Sequence, residues 1–446
     1  MKKDKSNSRK LNFLDCSAIL FNCVVGSGLF YLGSLVLINV GLNEGWALIC
    51  WVLGGFVSIL GAFTQAELGT SITEPGGSPV WLNRAIHPFL GYSTNILNIF
   101  ISSPAAVASF ALSFCTAYKT QFGLSDVGVK IFALALTLIV CIINLMDAKT
   151  GAIFARWTTV LKMIPILFIM AGGLLLGGVK PDLSLVVEEA TGGNILVMVA
   201  LGTNASLWAY SGWNLVIPLS AEMEDPAKDI PRSVILSLAA VTTLYALFNY
   251  AIFRVLPAET IAGMVANGDL YIGTAAAAKI FSFGGLLVTL CIMVSVFGTF
   301  TSSVMSAARS QAVIARSGRF PASFGKTTKT GVPLGPIIFQ GVIGGLFIIF
   351  SGLQGLAALT TFVSNLTAVL VILAVPIMRW KEPDLPRPFK VPMFWFTIIT
   401  YTAISVALLV AAVIADPSTI ALSGISVVIS AVLWVVFKDK KEPAKV

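Results

Sequence analysis

The sequence predicts an all-α integral membrane protein with twelve transmembrane helices, and three observations predict it. Of 446 residues, 57% are hydrophobic and only 11% charged, with a mean hydropathy of +0.90, whereas a soluble domain carries about 25% charged residues. The apolar runs last about 20 residues or more, the length an α-helix needs to cross a hydrocarbon core of ~30 Å. None of them alternates apolar with polar residues as barrel strands do, so the spans are helices.

Taken in order between Gly, Pro and polar breakers, the spans fall at 13–40, 45–66, 89–118, 129–147, 152–178, 194–220, 234–256, 280–310, 335–352, 356–378, 393–415 and 417–437. The first follows the basic stretch MKKDKSNSRK. It is too long for a signal-peptide core and lacks a small-residue cleavage site, so it is expected to be retained. Pro165 should kink the fifth span, and Pro376 should end the tenth. The expected organisation is an N-terminal tail (1–12), spans one to five (13–178), spans six to ten (194–378), spans eleven and twelve (393–437) and a C-terminal tail (438–446).

The formal charge of +8 is a matter of distribution. Of the 29 Lys and Arg, Lys119, Lys130, Lys180, Arg254 and Lys279 fall in one set of connections and adjoining span ends, Lys162 falls well inside a span, and all the others lie in the tails and at the alternate connections and span ends. Positive charge marks the cytoplasmic side. Both termini are therefore expected in the cytoplasm, and the charge needs no nucleic acid to explain it. The six cysteines (Cys16, Cys23, Cys50, Cys115, Cys141, Cys291) sit in apolar runs without a CxxC pair and are expected to be small buried hydrophobes. The single histidine, His87, precedes a proline in a loop and is expected to be solvated.

Two interruptions stand out. Gly26-Ser27-Gly28 lies in the middle of the first span, and Gly-Ser pairs are recognised kink sites. Taken alone, small residues there would suit close helix packing better than a site. The sixth span carries a second break, Tyr210-Ser211-Gly212-Trp213-Asn214, at the corresponding place of a second five-span half. Breaks at matching positions of two halves point to a transporter binding site. Five helices per half is an odd number, so the halves have opposite topology. Freed N–H groups at one half-helix end suit a carboxylate, and freed carbonyls at the other suit an ammonium. Together they suit a zwitterion.

Four stretches then carry a resemblance: VVGSGLF; AELGTSITEPGGSPVW; AYSGWN followed by AEMEDPAKDIPRS; and RWKEPDLPRPFKVP. The chain resembles the amino acid, polyamine and organocation (APC) transporters, whose fold is the LeuT-type 5+5 inverted repeat with broken helices 1 and 6. AYSGWN and a lysine in the fifth span look most like the L-amino acid transporter branch. The resemblance implies that Ser27 and Gly28 offer backbone N–H groups to a substrate carboxylate. The carbonyls near Val24, Val25 and Gly26, and those of Ala209, Tyr210 and Ser211 before Gly212, would take its amino group. Trp208 aligns with a gating aromatic over the substrate, an alternative being a packing role; Trp213 is expected to pack. Lys162 would stand where sodium sits in sodium-coupled relatives, meeting carbonyls near Val24 and Val25 and hydroxyls of Ser295, Thr299, Ser302 and Ser303. Burial lowers a lysine pKa, so proton coupling stays open beside a fixed charge that suits obligatory exchange. Glu67 is expected to cap or pair locally.

The middle of spans 1, 3, 6, 8 and 10 offers no carboxylate, so a cationic substrate would be buried unpaired. Small or medium neutral amino acids are expected, carried by a sodium-independent exchanger. A proton-coupled symporter is the alternative, with a cationic amino acid or polyamine antiporter after it. An enzyme would need a buried acid pair, a Ser/His arrangement or a metal cluster, a channel a filter or rings of charge, and a pump a phosphate-binding loop; none can be assembled from this sequence, and no cofactor or metal is expected. Animal exchangers of the branch pair with a glycoprotein through a cysteine between spans 3 and 4. The loop from Lys119 to Lys130 has none, so no obligatory heavy-chain partner is expected beside the lipid bilayer of the plasma membrane.

Overall fold

The computed structural model describes residues 12–437 except 27, 73, 75–76, 118, 120–121, 147, 187–193, 216, 218–222, 224, 329–330 and 416. The expected tails therefore lie outside the described residues, apart from Asn12. The first apolar run forms two helices, α1 (Phe13–Val24) and α2 (Leu29–Asn39). Asn12 starts α1 through a capping box, its side chain accepting from the Asp15 N–H at 3.0 Å while Asp15 accepts from the Asn12 N–H at 3.2 Å. Next come α3 (Glu44–Ser71), the short α4 (Ser78–Ala85), and α5 (Pro88–Leu97), which passes through a wide π-type turn at Asn98–Ser102 into α6 (Ser103–Thr116). They are followed by α7 (Asp126–Met146), α8 (Ala148–Leu176), α9 (Ile195–Ala209) and α10 (Pro226–Phe253). The short pair α11 (Ala258–Ala266) and α12 (Ile272–Ile280) leads to α13 (Gly284–Arg316), α14 (Leu334–Phe350), α15 (Leu353–Lys381), α16 (Phe394–Ala415) and α17 (Ser418–Phe437).

Among the described residues no strand occurs, only an isolated bridge between Thr327 and Pro333. Among the described residues, seven helices are long and apolar enough to cross a membrane, and five shorter apolar helices, such as Leu29–Asn39 and Ile195–Ala209, accompany them. α7 shows why water is the wrong solvent: Ile131, Phe132, Leu138, Ile139 and Ile142 point outward while Ala133, Thr137 and Val140 face the bundle. An outward apolar face of that size is stable only against lipid. α4, α11 and α12 were not anticipated. Pro376 does not end its helix: α15 runs on to Lys381.

The helices that carry the two interruptions sit at the centre. α1 packs on α10, α2 on α9, and α3 on both α9 and α10, while α8 lies against α13. One end of the bundle is held by ions. Arg379 makes a bidentate pair with Glu67 (2.8 and 2.6 Å), the Val391 N–H adds a bond to the same carboxylate at 2.7 Å, and Arg387 stands 3.8 Å away. Arg84 of α4 grips Glu382 (2.9 and 2.6 Å) just past α15. At the opposite end, residues 177–186 cross the start of α3 as a strap. The Asn43 side chain donates to the Ser184 and Val186 carbonyls, the Trp46 indole to the Leu185 carbonyl, and the Asp182 N–H to Glu44 at 2.6 Å.

Candidate functional site

α1 ends where Val25 turns extended, and α2 resumes at Gly28, whose carbonyl accepts from the Leu32 N–H at 2.8 Å. Ser27 lies outside the described residues. α9 ends at Ala209, followed by a turn at 210–212 and a short 3-10 turn at Trp213–Leu215. Gly212 has φ +106°, a backbone state that side chains rarely adopt, so a glycine is required there.

The fold brings the two interruptions into contact. A Cβ on Gly212 would come 3.0 Å from the Cys23 carbonyl, and a Cβ on Gly28 would come 2.7 Å from the Trp208 ring. Trp208 thus lies against the start of α2 because residue 28 has no side chain, and its ring centroid is 5.9 Å from that of Tyr31. Both helix ends are held by one side chain that sequence reasoning missed. The Tyr245 hydroxyl of α10 lies 2.9 Å from the Val24 carbonyl and 3.0 Å from the Ala209 carbonyl, in a fully buried cluster with Trp51 and Tyr210. Two carbonyls expected to receive an ammonium are therefore already engaged, with one lone pair each to spare. A tyrosine inside an apolar run looks like packing, so nothing local signalled this role. The Tyr210 side chain is likewise committed elsewhere, donating to the Trp51 carbonyl at 2.8 Å, so only its backbone can serve a ligand.

Two cavities approach this junction from opposite ends. One of about 590 Å³ opens at the ion-paired end beside Ser78 and Trp81 and reaches Ser211, Gly212, Asn214 and Asn365. The other, about 440 Å³, enters between α2, α9 and the start of α15, lined by Leu35, Asn39, Asn204, Trp208, Gln354 and Thr361. Among the described residues no charged side chain lines either cavity.

Lys162 is buried in α8, a helix that packs on α10, α12 and α13, and Cys23 at the end of α1 lies within its electrostatic reach. The hydroxyls expected near it are partly turned away: Thr299 donates to the Ser295 carbonyl at 3.0 Å and is exposed, and Ser302 donates to the Gly298 carbonyl at 2.9 Å. Ser295 is buried; Ser303 is half-buried. Two further expectations need correction. Glu67 pairs with Arg379, far away in sequence, and not locally; a long-range ion pair has no spacing signal, although the basic RWKEPDLPRPFKVP stretch supplied its partner. His87 is exposed, as expected, and also caps α5 with Nδ1, accepting from the Phe89 N–H at 3.1 Å. Cys23 is exposed, whereas the other five cysteines are buried as expected.

Comparison with known proteins identifies the family. The amino acid permease family description matches residues 11–437. The serine/threonine exchanger SteT of Bacillus subtilis is 29% identical over 94% of this chain and 95% of its own length. The mouse b(0,+)-type amino acid transporter 1 is 28% identical over 93% of this chain and 85% of its own length, and the human cystine/glutamate transporter 26% identical over 97% of this chain and 86% of its own length. The chain belongs to the amino acid permease family of APC transporters and is most like its L-amino acid transporter branch.

With matches of this extent, the chain is a multi-pass membrane protein of an amino acid transporter family.

Proposed function

We propose that this protein exchanges small or medium neutral L-amino acids across the plasma membrane, independently of sodium, by alternating access. The observation that carries it is the meeting of the two interrupted helices, with an uncharged cavity on either side of their junction. Exposed half-helix ends bind the carboxylate and ammonium common to all amino acids, and an uncharged lining disfavours a charged side chain. The N–H groups at Gly28 take the carboxylate, the carbonyls around Val24 to Gly26 and Ala209 to Ser211 share the ammonium with Tyr245, and Trp208 closes over the substrate. Lys162 supplies the fixed positive charge that sodium supplies elsewhere. The serine/threonine exchanger among the relatives supports exchange of small neutral substrates.

The architecture that goes with this function has twelve transmembrane helices in a LeuT-type fold. The halves 13–178 and 194–378 form the inverted repeat, 393–437 stands outside it, and both termini are cytoplasmic. The chain works without a heavy-chain partner. The test is uptake of radiolabelled serine or alanine into proteoliposomes, empty or preloaded with unlabelled amino acid, with and without an inward proton gradient. Uptake that needs internal amino acid and ignores the gradient is expected. Gradient-driven uptake into empty vesicles would overturn exchange in favour of proton symport, for which buried Lys162 is the leading proton site.

A further inference from the structure

The two cavities do not merge, and the layer between them is thin enough to name. Thr361 of α15 lines both. Beside it, the Asn365 amide of α15 donates to the Asn204 side-chain oxygen of α9 at 3.2 Å. Asn365 lines the 590 Å³ cavity and Asn204 the 440 Å³ cavity, so this hydrogen bond crosses the boundary. Both residues are buried, yet neither has a buried polar atom left without a partner. The amide groups not used in the pair therefore face the two cavities. Trp208, one turn beyond Asn204 on α9, lines the same 440 Å³ cavity.

We propose that the Asn204–Asn365 amide pair is the latch of the gate between the cavities. It holds α9 against α15 while the 440 Å³ cavity is cut off from the substrate junction, and it opens to let substrate through. The chemistry suits a part that must open in every cycle. A neutral amide pair exchanges its partner for water at little net cost, whereas breaking an ion pair would strand a charge. The amides left bare on opening also offer uncharged donors and acceptors to a passing zwitterion. The inference rests on the alternating-access function above.

The test is sided labelling. Thr367→Cys places a thiol in the 590 Å³ cavity, and its reaction with a membrane-impermeant thiol reagent, applied to each face in turn, is followed by mass spectrometry of that peptide. From the face of the 440 Å³ cavity, Asn204→Ala or Asn365→Ala is expected to speed labelling about fivefold or more. The double variant should be no faster than either single one, because the same bond is lost. Equal rates in all backgrounds, or a double effect equal to the product of the single effects, would overturn the latch. Should an alanine variant fail to reach the membrane, Asn204→Ser and Asn365→Ser read the same bond. Labelling needs no amino acid, so a latch that responds in a protein without exchange activity would refute the transport function alone, and intact exchange with unchanged labelling would refute the latch alone.

Discussion

Replacing Tyr245 by phenylalanine removes one oxygen and leaves the ring in place against Trp51 and Tyr210, at centroid distances of 5.3 and 5.1 Å. The hydroxyl proton is shared between the carbonyls of Val24 and Ala209, both nearly inaccessible. An orphaned buried acceptor costs about 1–3 kcal/mol. Because a single proton serves both carbonyls, that range applies once to the pair, which corresponds to about 5- to 150-fold in an equilibrium. The two half-helix ends lose the group that sets their spacing, so the loss should fall on amino acid binding. KM for exchange of labelled serine in proteoliposomes should rise by that factor, with a lower melting temperature in detergent. A Tyr245→Phe protein with KM and melting temperature unchanged would refute the idea that this hydroxyl holds the junction together.

Lys162→Ala should remain folded yet lose about tenfold or more of exchange rate, since a buried lysine is costly to keep without a function; normal exchange would remove its role. Gly28→Ala puts a Cβ 2.7 Å from the Trp208 ring and should displace the ring, changing tryptophan fluorescence and weakening substrate binding about tenfold. Arg379→Ala leaves the Glu67 carboxylate buried without its bidentate partner and should cost about 3–5 kcal/mol, read as lost thermal stability. The Arg84 guanidinium holds the Glu382 carboxyl below its ordinary value of 4.5. Its contribution is complete above that value and is lost as pH falls through the lower folded one, so the stability difference between wild type and Arg84→Ala, at most about 1 kcal/mol, should vanish on acidification.

The places where helices stop were legible in sequence wherever the cause is local. Gly26 and Gly28 interrupt the first apolar run, and Gly212 stands where φ is positive. Lipid thickness imposes a length that water does not, and α14 and α17 start and stop close to the expected spans, whereas α10 begins at Pro226 instead of 234 and α13 runs on to Arg316 instead of 310. What escaped was long-range or short. Tyr245 reaches carbonyls 221 and 36 residues away, and Glu67 meets Arg379 at a separation of 312; neither leaves a trace in spacing. α4, α11 and α12 are eight or nine residues long, too short for a span and with little periodicity to reveal them. Pro376 misled because a proline inside a membrane helix can be accommodated by its neighbours.

The strap over α3 bears on where this protein can be cut or tagged. Carbonyls of three consecutive residues, Ser184 to Val186, are held by Asn43 and Trp46, and the Val179 N–H is held by the Arg254 carbonyl at 2.9 Å. A protease must draw the chain out of these hydrogen bonds, so residues 179–186 should resist digestion although many of their side chains face solvent. An epitope inserted there would pull on the first turn of α3, and deleting a residue would do the same from the other direction.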